Sequence, residues 1–231
     1  MDDETAVVTG GTDGIGRAVA REFADAGANV VLCARDADAV AETVEAIEAD
    51  GGTATGIRAD ARDEFDVERL METAARFEAD GIDCVVANAG VYHGETGETP
   101  LSGESYAAFD DHLRTNARGV FATVSEALPH LNDGARVLVP TGSVAREPKP
   151  GLGSYAVSKA AAEAVARGFA VDTPYAVGCV DPGMVATDLS GPQGRDPAEV
   201  APMFRWAATE AAAEDLDGNV LGLREWRSAT R

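Results

Sequence analysis

Lysine is nearly absent from this chain: among its 19 basic residues only Lys149 and Lys159 are lysines. The basic residues face 40 acidic ones, and the net charge of −21 argues against nucleic acid or anionic lipid as partners, because phosphates would meet a strongly negative surface. Long hydrophobic runs are lacking too; none approaches the roughly 20 residues of a membrane span. The opening "MDDETAVVTG" starts acidic and passes straight into an apolar strand. No signal or transit peptide is read there, and a cytoplasmic location is expected. Cysteines are few, and Cys33, Cys84 and Cys179 each lie in an apolar strand-like run without metal-ligand spacing. They read as small buried hydrophobes. His93, His112 and His130 are isolated and offer no metal cluster. No serine occupies a GxSxG elbow, which argues against a hydrolase.

What the chain does have is alternation. Short β-branched runs near 4–9, 29–34, 53–58, 83–88, 135–141, 175–180 and 219–223 read as strands. Alanine-rich segments near 14–26, 36–49, 63–79, 104–131, 154–171 and 197–213 carry a helical period. Near-continuous hydrophobic strands alternating with helices predict a parallel sheet covered on both faces. The expected fold is α/β, a Rossmann-type doubly wound sheet of about seven strands. No composition break divides residues 1–231, so one domain is expected. Loops 90–103 and 189–196 follow strand ends, where ligands bind in open α/β sheets.

The first strand runs into "VTGGTDGIGR", with glycines at 10, 14 and 16. A strand that turns this sharply into a helix can bring a pyrophosphate against backbone lacking Cβ atoms, with the N–H groups of the helix start as donors. The spacing differs from G-x-G-x-x-G, and a merely structural glycine turn would look similar. The second strand ends at Ala34–Arg35, where an acid would suit the ribose 2′-hydroxyl of NAD and an arginine the 2′-phosphate of NADP. Arg35 favours NADP(H); Asp13 and Asp36 nearby oppose it and leave NAD(H) open.

In "SYAVSK", Tyr155 and Lys159 stand one helical turn apart on one face. A phenol with an ordinary pKa near 10 is a poor base at pH 7. An ammonium roughly 4 Å away contributes on the order of 4 kcal/mol at an effective dielectric near 20, up to about three pKa units. The pair could therefore do proton chemistry, although a lone helical tyrosine is more often a packing residue and a lone lysine a solvated one.

Six stretches together resemble the short-chain dehydrogenase/reductase family: "TGGTDGIG" at 9–16, "NAG" at 88–90, Asn116 in "RTNARGVF", Ser143 in "VPTGSVA", "YAVSK" at 155–159 and "DPGMVATD" at 181–188. The resemblance covers almost the whole chain and implies hydride transfer between a nicotinamide and a carbonyl or secondary alcohol. It implies Tyr155 as general acid/base and Lys159 as the group that lowers its pKa and holds the nicotinamide ribose. Ser143 would bond the substrate carbonyl, and Asn116 would keep a water in the proton relay. The glycine turn (Gly10, Thr12, Asp13, Gly14, Ile15, Gly16) would hold the cofactor together with Arg35. Asp60, Ala61, Asn88, Ala89 and Gly90 would lie along the adenosine and ribose, and Pro182, Gly183, Val185 and Thr187 at the carboxamide.

Ser143 lies one residue closer to Tyr155 than is usual in the family, with Thr141 as the fallback. Singly, each residue has a plainer use: Asn116 could satisfy backbone groups, Ser143 and Thr187 could cap strand ends, Asp60 could cap a helix. Tyr92 and His93 could reach substrate or belong to the loop alone. A non-catalytic nucleotide sensor is the competing function, but it would be expected to lose Tyr155 or Lys159. A small-molecule carbonyl or alcohol is the expected partner, and a homodimer or homotetramer is expected through 104–131 and 154–171. The tail "GLREWRSATR" replaces the family's glycine-rich ending.

The scattered acids and scarce lysines favour adaptation to a salt-rich cytoplasm over an ordinary acidic enzyme, since salt screens carboxylate repulsion. The expected outcome is a melting temperature that rises between low and molar KCl; a flat curve would refute the adaptation.

Overall fold

The computed structural model describes residues 1–78 and 81–230. Seven strands, β1 (Thr5–Thr9), β2 (Asn29–Ala34), β3 (Thr53–Arg58), β4 (Ile82–Val86), β5 (Leu131–Pro140), β6 (Ala176–Asp181) and β7 (Val220–Gly222), form one sheet in the order β3-β2-β1-β4-β5-β6-β7. Every pairing is parallel, with Val7 level with Val31 on one side and Val85 on the other. This is the expected Rossmann-type arrangement. Strand order reverses between β1 and β4, which opens a crevice at their carboxyl ends.

Both faces of the sheet are covered, which is why the strands read as unbroken apolar runs. On one face lie α1 (Gly14–Asp25), α2 (Ala37–Ala49) and α7 (Pro197–Thr209). Val19, Ala20 and Phe23 recur on α1 at helical spacing and meet Met203 and Phe204 of α7 over Val8 and Leu32. On the other face α3 (Glu64–Ala74), α5 (Gly119–Ala127) and α6 (Gly153–Asp172) bring Leu70, Met71, Val120, Val124, Ala162 and Ala166 against Val7, Val85 and Val137. Fully burying one such aliphatic or aromatic side chain contributes about 1.5–3 kcal/mol. The three cysteines are buried in β2, β4 and β6 as free thiols; burial pushes Cys33 and Cys179 up to about 12 and raises Cys84 as well.

The single helix expected over 104–131 is present as an unbroken helical stretch from Tyr106 to His130 that changes its winding along the way. It comprises α4 (Tyr106–His112), a wide π turn (Leu113–Arg118), α5, and a short tight turn (Leu128–His130). A π turn takes an extra residue per turn and often marks a functional site; here it buries Thr115, Asn116 and Ala117. β5 starts at Leu131 rather than 135, because the register between β4 and β5 shifts between Ile82 and Cys84 and admits the polar Asn132–Gly134 stretch. α3 ends at Ala74, and position 79, the last residue of the helix expected there, lies outside the described residues. α7 stops at Thr209, followed by a single turn, α8 (Ala213–Leu216). The tail forms a helix that alternation did not reveal, α9 (Leu223–Ala229), its start tied by Glu225 accepting from the Gly222 N–H. No described helix is long and apolar enough to cross a membrane.

Candidate active site

The crevice is built from turns at the ends of β1, β4, β5 and β6. After β1 the chain bends with Gly10 at φ 64° and Gly14 at φ 50°, the left-handed region that glycine enters without strain. A Cβ on Gly16 would stand 2.1 Å from the Gly10 carbonyl oxygen, so only hydrogen fits there. The neighbouring turn after β4 is stapled to this one. Asn88 Nδ2 donates to the carbonyls of Thr9 and Gly10 at 2.9 and 3.0 Å. Thr9 Oγ1 accepts from the Asn88 and Ala89 amides at 3.0 and 3.1 Å.

This turn leaves a helix start open. Asp36, Asp63 and Asp196 each cap their helices by accepting backbone N–H bonds, whereas Asp13, at the same position before α1, makes no such bond. The first-turn N–H groups of α1 have no side-chain acceptor, which is what an incoming phosphate needs. Ile15 packs on the core behind, and Thr12 lines a cleft between α1 and α2 that also carries Arg17 and Arg21. Arg35 is exposed at the end of β2. Asp36, expected to oppose a 2′-phosphate, turns one carboxylate oxygen, Oδ1, to the Asp38 and Ala39 amides.

Asp60 does not stand free. Arg62 grips both of its oxygens, and that guanidinium holds the Asp60 carboxyl below its ordinary range. Arg62 also reaches Asp111, which pairs with His93 Nε2 at 2.7 Å. Ala61 is buried, with its carbonyl close to Gly119. Gly90 lies against Asn116, whose Oδ1 accepts from the Val91 amide at 2.8 Å; its Nδ2 donates to the Val91 carbonyl and to Ser158 Oγ, both at 2.9 Å. The Asn116 side chain thus clamps the β4 loop to α6.

Beyond β6, Gly183 turns with φ 72°, and its amide donates to Asp181. Val185 is buried and bridges to Arg195. Thr187 touches the space beside Gly14, where a Cβ would be 3.0 Å from its methyl carbon. Its hydroxyl is paired with that of Ser190 at 2.7 Å, which folds the start of the 189–196 loop back on the β6 turn. The β1 and β6 turns therefore meet.

Tyr155 and Lys159 sit on the first turns of α6. Glu104, deep in the protein, accepts from the Ser154 amide at 2.6 Å, and His112 Nδ1 bonds Ser154 Oγ at 2.7 Å. Tyr92 packs edge-on against the Tyr155 ring at 5.1 Å, so it forms a wall of the site, while His93 turns to Asp111. The Lys159 ammonium lies 5.8 Å from the centre of the Tyr155 ring and donates to the Pro140 carbonyl at 3.0 Å.

Charge behaves differently here from the expectation. Burial pushes Tyr155 up to about 12, not down, and lowers Lys159 to about 8. Loss of solvent opposes both charged forms, and the ammonium is directed at Pro140. Ser143 follows β5 in a short turn, and Lys149 Nζ donates to its Oγ. Thr141, the fallback for the serine, is buried, and its hydroxyl donates to Glu163 at 2.7 Å. Glu163 and Asp181 are bridged by Arg146 beneath the site. Sequence reasoning passed over Lys149, Arg146 and Glu163; only the scarcity of lysine singled out the first.

A parallel sheet with an uncapped helix start at its switch point and a tyrosine–lysine pair across the crevice defines an oxidoreductase of the Rossmann type. The short chain dehydrogenase family model matches residues 4–198, and the chain belongs to that family. It is 37% identical over 195 residues to the short chain dehydrogenase/reductase AacuN of Aspergillus aculeatus, covering 80% of this chain and 70% of that one. It is 32% identical over 200 residues to an NADPH-dependent aldehyde reductase-like protein, chloroplastic, of Arabidopsis thaliana, covering 80% and 73%. A short chain dehydrogenase from Burkholderia cenocepacia, solved in complex with NADP, superposes with a TM-score of 0.85 at 28% identity, over 96% of each chain.

The lowered Lys159 gives a pH signature. A base whose folded pKa is depressed costs stability wherever it must be charged, below about 8, and the cost fades as pH rises towards its unfolded value near 10.4. Lys159→Met should therefore melt above the wild type at pH 7, with the gap narrowing by about pH 10.5. A gap constant from pH 7 to about 10.5 would refute the buried charge.

Proposed function

We propose that the protein is an NADP(H)-dependent carbonyl reductase or alcohol dehydrogenase with Tyr155 as its general acid/base. The observation that carries this reading is the convergence of the open α1 start, the Thr187 turn and the Tyr155–Lys159 pair at one end of the sheet. The glycine turn fits a dinucleotide, since Gly10 and Gly14 bend the chain in the left-handed region and the α1 start they lead into has no side-chain cap. The open N–H groups of α1 would hold the pyrophosphate, Asn88 to Gly90 the ribose side, and Pro182, Gly183, Val185 and Thr187 the carboxamide. When bound, the nicotinamide supplies two-electron redox chemistry as a hydride.

The remaining work belongs to this chain. Ser143 donates to the carbonyl oxygen and holds it beside Tyr155. With its pKa raised, Tyr155 keeps its proton across the neutral range, the state needed to protonate a nascent alkoxide. Working in the other direction, the phenol must lose that proton, and the Lys159 ammonium is the nearby charge that can make this possible. Asn116 serves by clamping the β4 loop, so a water relay would run past its backbone. Tyr155→Phe should abolish turnover in an NADPH-oxidation assay while a fluorescence titration still shows cofactor binding; retained turnover would remove the tyrosine from the mechanism.

NADP(H) is preferred over NAD(H) because Arg35 is exposed at the ribose end of β2, while Asp36 directs one carboxylate oxygen to the start of α2. The relatives named for NADPH or solved with NADP support the same choice. Arg35→Asp should shift the KM ratio towards NAD by about an order of magnitude or more, as loss of a charge-assisted phosphate contact implies; an unchanged ratio would overturn the preference.

The substrate is a small carbonyl or alcohol. The chain functions as a homo-oligomer through the outer face of α4 to α6, where Tyr106, Phe121 and Val157 are exposed. Salt adaptation is supported by α2, whose Asp38, Glu42, Glu45 and Glu48 all face solvent.

A further inference from the structure

Lys149 is held in an unusual way. It lies between Pro148 and Pro150, and a residue before proline is confined to extended backbone. Gly151 follows with φ 72°, and a Cβ there would stand 1.9 Å from the Gly97 carbonyl oxygen. The Gly151 carbonyl accepts from Thr99 N at 3.0 Å and from the Tyr92 hydroxyl at 3.2 Å. A stiff, anchored segment therefore carries the ammonium to Ser143 Oγ. The carboxylate paired with it, Glu147, stands off at 3.9 Å.

We propose that Lys149 is a positioning residue that acts through Ser143, filling a lone pair of the serine oxygen so that the serine O–H is left to donate to the substrate carbonyl. The proposal rests on the assignment of Ser143 to that oxygen made above. The direction of the bond is not in question, because an ammonium has three donors and no acceptor. A serine hydroxyl has one hydrogen and two lone pairs, so occupying a lone pair from the lysine side frees the hydrogen for the crevice. A charge-assisted bond into the hydroxyl polarises it, and its outgoing bond strengthens as the carbonyl oxygen gains charge.

The identity of the residue points the same way. Every other basic position except Lys159 is arginine. A planar guanidinium suits a two-oxygen anion, whereas a compact ammonium suits a single lone pair. A site selecting substrate carboxylates would be better served by arginine.

A double-mutant cycle tests the proposal, using NADPH and the neutral probe 4-nitrobenzaldehyde in molar KCl. Ser143→Ala should lower kcat by about 10²-fold, the usual cost of an oxyanion donor. Lys149→Met should lower kcat by roughly 10-fold, with KM and the NADPH fluorescence titration changed less than about twofold. In the Ser143→Ala background Lys149→Met should cost less than about twofold, because both act on one oxygen. Lys149→Arg should recover only part of the loss. Full additivity, or an unchanged kcat in Lys149→Met, would overturn the role of the lysine alone. An unchanged kcat in Ser143→Ala would overturn the serine assignment, and the lysine's role with it.

Discussion

Everything in the crevice depends on how two neighbouring strands part. β1 and β4 lie side by side, and beyond their ends the chain must turn away in opposite directions without leaving backbone groups bare. The solution is reciprocal: Asn88 satisfies the carbonyls of the first turn, and Thr9 satisfies the amides of the second. These bonds hold Gly10 and Gly16 near contact, and that spacing aims the N-terminus of α1 into the opening. An unpaired buried polar group costs about 1–3 kcal/mol, so neither turn can shift without exposing several such groups at once. The crevice is therefore a rigid consequence of hydrogen-bond accounting, made before any ligand arrives.

Placed against this rigid edge, the proton-handling groups are arranged by desolvation more than by mutual attraction. Burial lifts the phenol and lowers the ammonium, and the two charges that would help each other in water are each disfavoured here. The surroundings compensate through fixed bonds: Pro140 receives the Lys159 ammonium, Glu104 receives the Ser154 amide, and Arg146 ties Glu163 to Asp181. α6 is consequently held at its first turn and along its length.

Much of this was legible in the sequence because it rests on local chemistry. Unbroken β-branched runs marked a sheet covered on both faces, and the glycine spacing marked a backbone that excludes Cβ atoms. "YAVSK" placed two groups on one helix face. The widened turn within the 104–131 helix was not legible, since a π turn keeps helical composition and changes only the hydrogen-bond period. Nor was the rise in the Tyr155 pKa, because a pair separated by one turn does not reveal where the ammonium's hydrogen bond goes. Asp60 showed the same limit: its partner Arg62 is two residues away, but whether an aspartate caps, pairs or binds is decided by its neighbours in space. Asn116 was picked out as a site residue, but the partners of its amide, Val91 and Ser158, are set by the fold and were not legible.

The two lysines also make the molecule chemically simple in one respect. One of its side-chain amines donates to Pro140 beside the tyrosine and the other to Ser143. Of the two side-chain amines, Lys149 is the more open to a reagent that acylates or reductively alkylates amines, since Lys159 is more enclosed. Coupling it to a support through Lys149 would fasten the molecule beside Ser143, whereas the carboxylates on its outer surface offer handles that leave that serine free.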